Sequence, residues 1–291
     1  MQGFGNGLED DCRALLGFLI KLGESLKGHQ PQNRRLVDSE LLTQKIVFHT
    51  CSILYLSRGT RLDDIPETSI SFVDHASIQV VARALLESVW AFHHIFAEPK
   101  TEDELAFRYC CWMLAGFVQR EQFPAMTDWG REQLARDKQA TSHYREELQR
   151  TELFEGLNPR DKRRALNGKL WRPQSLRATA EAFLGRSFGP AIYAWLSSYQ
   201  HADALSAVQI RAVDSHERQQ HMAESSLLLV GVSLSQMIKA YLRLWPQLEL
   251  VTNRYPKIQS LVEMYCRFTE FDPGTYRNGT AGDATLSHAD A

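Results

Sequence analysis

Hydrophobic residues recur at helical spacing along most of the chain, and short polar stretches separate each run from the next. Apolar side chains that repeat every three or four residues form one face of an α-helix. The pattern therefore predicts an all-α protein, an irregular bundle of many helices. The predicted helices cover residues 8–27, 39–58, 77–97, 101–122, 127–153, 175–185, 191–205, 217–245 and 256–271, with a loop over residues 59–75.

The predicted helix over residues 77–97 is apolar on most of its surface but carries one polar stripe. This stripe consists of Arg83, Glu87, Trp90 and His94. A helix that is apolar nearly all round is buried, and a buried charge requires a partner and further hydrogen bonds. The pattern predicts a buried central helix in which Arg83 pairs with Glu87 and both side chains meet polar groups of another helix.

A second polar stripe lies on the predicted helix that follows Gly189 and Pro190. Tyr193, Ser197 and His201 are spaced by four residues and therefore share one helix face. Apolar residues flank this stripe, so it is expected to pack against another element. Packing the two stripes together satisfies the polar groups of both, and we expect them to form one buried polar site.

Two hypotheses follow for this site. In the first it is a catalytic or ligand-binding pocket, because groups with altered pKa values cluster at functional sites. The histidine is then an acid or base, the arginine binds an anionic group, the glutamate orients them and the tyrosine donates a hydrogen bond. The catalytic candidates are His201, Glu87, Arg83 and Tyr193, and the ligand-binding candidates are Ser197, His94 and Trp90. In the second, the cluster only specifies helix packing in a structural or regulatory interaction protein.

Composition supports an ordinary globular protein. The 291 residues are 44% hydrophobic and 23% charged, with a formal net charge of −2. This near balance argues against a surface coated with basic residues for nucleic acid. We expect one helical domain over residues 1–271 and a disordered tail over residues 272–291, whose side chains are small and polar.

One segment departs from this balance. Residues 158–172 hold six basic side chains and Trp171, a composition typical of nucleic-acid binding. The basic residues are Arg160, Lys162, Arg163, Arg164, Lys169 and Arg172. The alternative is a short solvated helix that begins at Asn158 and Pro159 and carries surface ion pairs.

Nucleotide-binding, hydrolase and zinc motifs are absent from the sequence, so no cofactor is expected. His221 lies at helical spacing from Glu217 and Glu224, but carboxylate-bridged metal sites use such turns on two helices. A solvated helix start is the preferred interpretation, and no metal site is expected. The five cysteines contain no C-x-x-C pair and are expected to be reduced thiols that are mostly buried.

The first residues combine acidic side chains with no long apolar run, which is unlike a signal peptide. The apolar stretches over 77–97 and 226–245 are interrupted by polar or charged residues, which disfavours a membrane-spanning helix. We therefore expect a cytoplasmic protein without membrane contact.

The run from Arg83 to Glu87, together with Tyr193, Ser197 and His201 on a later helix, resembles a bacterial all-helical family classified as a domain of unknown function. The resemblance covers roughly residues 35–245. It implies an all-α fold and a shared site built from the arginine, the glutamate, the tyrosine and the histidine.

A more distant similarity is to the helical HEPN ribonucleases of toxin and phage-defence systems, whose mark is an arginine separated from a histidine by four to six residues. Arg136 with His143 and Arg211 with His216 have this spacing. The similarity implies metal-independent RNA cleavage in which histidine is the acid or base and arginine stabilises the developing charge. The partners expected are RNA or a small anionic ligand, with a homodimer or a defence-system protein as a further partner.

Overall fold

A computed structural model describes residues 7–29, 33–62, 70–172, 175–186, 188–201 and 203–267. Within these ranges the chain forms helices almost throughout, which confirms the all-α prediction. The helices are α1 Leu8–Ser25, α2 Ser39–Leu56, α3 His75–Phe92, α4 Glu102–Arg120, α5 Asp128–Gln149, α6 Glu152–Glu155, α7 Pro159–Leu166, α8 Leu176–Leu184, α9 Gly189–Gln200, α10 Ala204–Ala212, α11 His216–Leu244, α12 Glu249–Thr252 and α13 Pro256–Arg267.

Several helices begin where a side chain caps the free backbone N–H groups. The side chain of Asp74 accepts a hydrogen bond from Ser77 N (3.0 Å) at the start of α3. Thr101 Oγ1 accepts one from Glu104 N (3.1 Å) at the start of α4, and Asn158 accepts one from Asp161 N (2.9 Å) before α7. Such caps stabilise a helix start by about 1 kcal/mol each, so the sequence itself fixes these starts.

The central helix of the bundle is α3, as its apolar surface predicts. It packs against α2, α9 and α11, and the side chains of Leu85, Leu86 and Val89 are completely buried. After Phe92 the chain continues as one π-helical turn over His93–Ala97. This turn carries the end of the predicted helix over residues 77–97 towards α4.

The second core helix is α11, which packs against α1, α3 and α13. It is long and apolar enough to span a membrane by length and composition alone, but 67% of the residues in its most apolar window are buried inside the protein. A helix in the core of a helical bundle is also long and apolar, so the contacts of α11 with the other helices explain its apolar character.

A glycine turn brings the segment after α7 close to α4. Gly168 has a φ of 67°, a left-handed conformation that favours glycine. A Cβ atom at this position would lie 2.8 Å from Ala115 Cα in α4. The absence of a side chain therefore lets the chain cross α4 closely, and Trp171 and Arg172 follow within four residues.

Three predicted elements differ from the structure. The helix predicted over residues 127–153 ends at Gln149, and α6 follows as a separate short helix. The loop over residues 59–75 contains a small antiparallel pair, β1 Thr60–Arg61 and β2 Ser71–Phe72, with Thr60 opposite Phe72. The helix predicted over residues 191–205 is two helices, α9 and α10, because the backbone of His201 is extended. The side chain of Asp203 then caps α10 by accepting a hydrogen bond from Ser206 N (3.3 Å). The predicted tail over residues 272–291 lies outside the described residues.

All five cysteines are free thiols, as predicted. Four are buried and Cys51 is exposed on α2. Burial raises the pKa of Cys12 and of Cys111 to about 12 and that of Cys110 to about 11. Because the thiolate is the reactive form, these three side chains are expected to be inert core residues.

Candidate functional site

The polar stripes of α3 and α9 meet at three side chains. Arg83 Nε donates a hydrogen bond to Glu87 Oε1 (3.0 Å), and Arg83 Nη2 donates one to the hydroxyl of Tyr193 (2.7 Å). The Tyr193 hydroxyl in turn donates to Glu87 Oε1 (3.1 Å). The three groups close a triangle that joins the two helices, as the sequence predicts for these residues.

The triangle is largely shielded from water. The side chain of Arg83 is 11% exposed and that of Glu87 is 24% exposed. Burial, and then the nearby Glu87 carboxylate, raise the pKa of Tyr193 above its usual value. The guanidinium carbon of Arg83 also lies 4.9 Å from the centre of the Tyr193 ring. At neutral pH the tyrosine is therefore a neutral hydrogen-bond relay between an arginine and a carboxylate.

A cleft of about 330 Å³ opens beside the triangle, between α3, the π-helical turn, α4 and α8. Glu87 belongs to both the triangle and the cleft, because its Oε1 accepts the hydrogen bonds of the triangle and the residue also lines the cleft. The apolar part of the lining consists of Trp90, Ala91, Trp171, Leu176, Ala182 and Phe183, and the polar part consists of Glu87, His93, His94, Glu98, Arg108, Arg172 and Thr179.

Trp90 forms the wall between the triangle and the cleft. Its ring centre lies 5.7 Å from that of Tyr193 on one side and 6.0 Å from that of Phe183 on the other. The residue is only 4% exposed. Rings at such distances attract one another in tilted arrangements, so Trp90 ties α3 to both α8 and α9 and holds the apolar half of the cleft in shape.

The polar floor of the cleft is organised by Arg108 of α4. Its Nη1 donates to the backbone carbonyl of His94 (2.7 Å) and to Glu98 Oε2 (2.9 Å), and its Nη2 donates to Glu104. The same Nη1 lies 2.9 Å from His94 Nδ1. The same Nδ1 is also 3.6 Å from Glu98 Oε2, so Arg108, His94 and Glu98 form one polar cluster.

These contacts alter the ionisation of Glu98. The pKa of this carboxyl falls from its usual value of 4.5 to about 2, because the His94 imidazole and then the Arg108 guanidinium stabilise the carboxylate against the opposing effect of burial. The neighbouring His93 also lines the cleft but is almost completely buried. Burial lowers its pKa, and its Nε2 lies 3.3 Å from the carbonyl oxygen of Gln236.

We expect Glu98→Gln to lower the free energy of unfolding at neutral pH, with a difference from wild type that shrinks between about pH 4.5 and about pH 2. In this window the folded protein keeps the carboxylate charged while the unfolded chain takes up a proton, so acid favours unfolding of the wild type. Glutamine does not titrate. Urea unfolding across this range, with the exposed Glu155→Gln as control, measures the effect; a difference that is constant with pH would contradict it.

Arg172 closes the cleft on the opposite side from Arg108. Its guanidinium lies over the ring of Trp171 at 4.2 Å, and its Nη2 is 3.4 Å from Glu87 Oε2. A distance of 3.4 Å is longer than a well-formed charged hydrogen bond. The side chain is 40% exposed. Arg172 is therefore oriented by an aromatic ring, and among the described residues most of its donors make no hydrogen bond.

The other candidate residues do not join the triangle. His201 lies at the end of α9 and is exposed. Eight helical residues separate it from Tyr193 by about 12 Å along the helix axis, so it does not reach the triangle. Ser197 Oγ donates to the carbonyl of Tyr193 (2.6 Å) within α9. His94 and Trp90 both line the cleft, as predicted for ligand-binding residues, although His94 contacts α4 rather than Arg83.

The basic segment is divided between several environments. Arg160, Arg163 and Lys169 are exposed. Arg164 pairs with Asp161 (3.0 Å), and Lys162 lies over the ring of Phe154 at 5.6 Å. Only Arg172, described above, reaches the cleft. Nucleic-acid binding by this segment stays a prediction, while the short helix that begins after Asn158 is α7.

The arginine and histidine pairs with HEPN-like spacing lie away from the cleft. Arg136 and His143 are exposed on α5, and Arg211 and His216 are exposed where α10 ends and α11 begins. His221 Nδ1 is 3.8 Å from Glu224 Oε2 on the exposed start of α11. In the described part of the chain, no group of three histidine, cysteine, aspartate or glutamate side chains is arranged to hold a metal ion.

The lining residues missed from the sequence include Arg108, Glu98 and Phe183. A signal for Arg108 exists, because it follows Glu104 by four residues on an otherwise apolar helix, the same spacing as Arg83 and Glu87. Phe183 gives no such signal, since its short helix shows only an ordinary apolar face.

Comparisons with protein-family models, with curated protein sequences and with solved structures find no match for this chain. The similarities to a bacterial all-helical family and to the HEPN ribonucleases therefore stay predictions. The function has to be argued from the geometry of the cleft and the triangle.

Proposed function

We propose that the protein binds a small molecule that carries an anionic group and an apolar, ring-sized body in the cleft between α3, α4 and α8. The observation that carries the proposal is one cavity of about 330 Å³ that contains both an apolar wall and the guanidinium of Arg172. This guanidinium makes only a long contact, of 3.4 Å, with Glu87 among the described residues. Ligand sites are typically concave, mostly apolar and furnished with a few fixed polar groups.

The anionic character of the ligand follows from comparing the three guanidinium groups at the site. Arg83 uses Nε and Nη2 within the triangle and its Nη1 is buried away from solvent, while the terminal nitrogens of Arg108 donate to His94, Glu98 and Glu104. Among the described residues, the guanidinium of Arg172 makes one long contact with a carboxylate, and its side chain is 40% exposed. A carboxylate, sulfonate or phosphate can accept two parallel hydrogen bonds from this group.

The apolar body of the ligand follows from the facing wall. Phe183 and Leu176 of α8 line the cleft together with Trp90 and Ala91 of α3, and Phe183 packs edge-to-face on Trp90. Burial of apolar ligand surface contributes about 25 cal/mol per Å². A ring packed against this apolar wall is therefore expected to supply the larger share of the binding free energy, while Arg172 fixes the orientation.

Three naphthalene compounds test the proposal by titration calorimetry: naphthoate, neutral naphthalenemethanol and cationic naphthylmethylamine. We expect naphthoate to bind most tightly. Arg172→Gln is expected to weaken its binding about tenfold, the loss of roughly 1.4 kcal/mol that one charge-assisted hydrogen bond provides. Binding of naphthalenemethanol is expected to be unchanged by the same substitution.

The matched control is Arg163→Gln, which removes an equal charge from the exposed surface of α7. It is expected to leave naphthoate binding unchanged. Phe183→Ala is expected to weaken all three compounds, because it removes apolar wall rather than charge. Equal affinity of naphthoate for the wild type and Arg172→Gln would overturn the proposal.

A second role is favoured for the triangle itself. Its three side chains form hydrogen bonds with one another between α3 and α9, and His201 lies outside the triangle. We propose that Arg83, Glu87 and Tyr193 link the two helices and hold Glu87 and Trp90 in place at the edge of the cleft. This combines the two hypotheses drawn from the sequence: a structural triangle beside a ligand-binding cleft.

A further inference from the structure

Helix α2 is apolar on two opposite faces, and the protein covers only one of them. Leu42, Ile46 and Ile53 are buried where α2 packs against α3. On the other face Phe48 is 66% exposed and Tyr55 is 76% exposed. The outer face of α2 therefore exposes large apolar side chains that lack a partner within the described chain.

The residues of this outer face alternate in steps of three and four. They are Leu41, Gln44, Phe48, Cys51 and Tyr55, called the outer stripe below, and all of them are exposed. This is the spacing at which two paired helices interlock along a seam. Val37, four residues before Leu41 and 49% exposed, continues the stripe into the turn that precedes α2.

The area of the stripe is sufficient for a reversible contact. An aromatic side chain offers about 150–250 Å² of surface, so the outer stripe exposes on the order of 400 Å² of apolar surface. Two such stripes with their flanking polar side chains bury roughly 1,000 Å² in total, the lower bound for a specific interface.

We infer that the outer stripe binds a second copy of this chain, with the two α2 helices antiparallel and the two-fold axis close to Phe48. In this arrangement Phe48 meets Phe48 of the partner subunit, and Leu41 meets Tyr55 of the partner subunit. The contact is isologous, as in most homodimers. It adds an assembly surface to the protein and does not depend on the ligand proposed for the cleft.

Charges at the two ends of α2 favour the antiparallel direction. The helix begins with acidic side chains at Asp38 and Glu40, and the basic Arg58 follows its end. The two-fold axis brings Arg58 next to the acidic start of α2 in the partner subunit, where the carboxylate of Asp38 in each subunit also accepts a hydrogen bond from Tyr109 of its own chain. Arg58 uses Nε for Glu9 (3.2 Å), and its two Nη groups have no bond among the described residues. Parallel helices would instead bring like charges together, which is unfavourable.

Sedimentation velocity over a range of concentrations tests the dimer. The wild type is expected to pass from monomer to dimer, and Phe48→Glu is expected to raise the dimer dissociation constant at least tenfold. The matched control is Phe123→Glu, since Phe123 is 62% exposed between α4 and α5 and lies outside the stripe. A wild type that stays monomeric at every concentration, or equal weakening by both substitutions, would overturn the inference.

Crosslinking tests the direction of the helices. In a Cys51→Ser background, chains with Leu41→Cys are mixed with chains carrying Tyr55→Cys and treated with a short bis-maleimide. The mixture is expected to give crosslinked dimers. Each variant alone is expected to give none, because its two thiols lie about 21 Å apart along antiparallel helices. Crosslinking of either variant alone would contradict the antiparallel arrangement.

Discussion

Gly189→Ala is expected to lower the free energy of unfolding by about 3 kcal/mol or more, because α8 and α9 cross at this residue. An alanine Cβ would lie 2.5 Å from the carbonyl carbon of Ala180 and closer still to its oxygen. Both atoms belong to the backbone of α8, so no side-chain rotation relieves the overlap. Urea unfolding measures the loss of stability.

The same substitution is expected to abolish naphthoate binding. To admit the methyl group the two helices must move apart, and α8 supplies Leu176 and Phe183 to the cleft while α9 supplies Tyr193 to the triangle. Titration calorimetry at a temperature where the variant is still folded separates this effect from unfolding.

Two other glycines provide the control. Gly17 in α1 and Gly116 in α4 have no atom within 4 Å of an added Cβ. Alanine at either position is expected to stabilise the protein by about 0.5–1 kcal/mol, because glycine loses more backbone entropy than alanine when a helix forms. A Gly189→Ala variant as stable as these two would show that α8 and α9 do not cross at this point.

The positions of most helices could be predicted because the signals are local. The caps at Asp74, Thr101 and Asn158 act within three residues of the helix start, and the apolar spacing of α1, α3 and α11 is visible within each segment. The contact of Arg83 with Glu87 is equally local, since residues four apart on a helix are neighbours.

The composition of the cleft could not be predicted, because it depends on segments that are distant in sequence. Arg108, Arg172 and Phe183 come together only after α4, the segment following α7, and α8 have packed around α3. A shared helix face also says nothing about distance along the helix axis. His201 shares the face of Tyr193 but lies two turns away, where the backbone leaves the helix.

The outer stripe of α2 shows another limit of periodicity. The sequence predicts the inner face of this helix correctly, with Leu42, Ile46, Ile53 and Leu54 buried, but its periodicity does not reveal that the apolar residues of the opposite face are left uncovered. In the structure Ile46 and Ile53 are buried while Phe48 and Tyr55 are exposed. The assignment follows from packing against the rest of the bundle, and the uncovered face then becomes evidence for a partner.

Arg83→Met is expected to lower the free energy of unfolding by about 3 kcal/mol, because removal of one member of a buried ion pair leaves the other charge without a partner. The carboxylate of Glu87 would keep only the Tyr193 hydroxyl and the long contact with Arg172. Adding Glu87→Leu to the same chain is expected to recover much of the loss, since methionine and leucine fill the space without leaving a buried charge. Urea unfolding of both single variants and the double variant gives the interaction free energy as a double-mutant cycle.

The surface pair of Arg186 and Glu181 is the matched comparison for this cycle. Its two nitrogen and oxygen atoms are also close, at 2.9 Å, but the arginine side chain is 90% exposed. Arg186→Met is therefore expected to change the stability by less than about 1 kcal/mol, because water screens an exposed pair. If Arg83→Met cost no more than Arg186→Met, the triangle would not link α3 to α9, and the fixed position of Glu87 at the cleft would need another cause. If instead the double variant lost as much as the two single variants together, the arginine and the glutamate would stabilise the fold independently, through Tyr193 and Arg172 respectively.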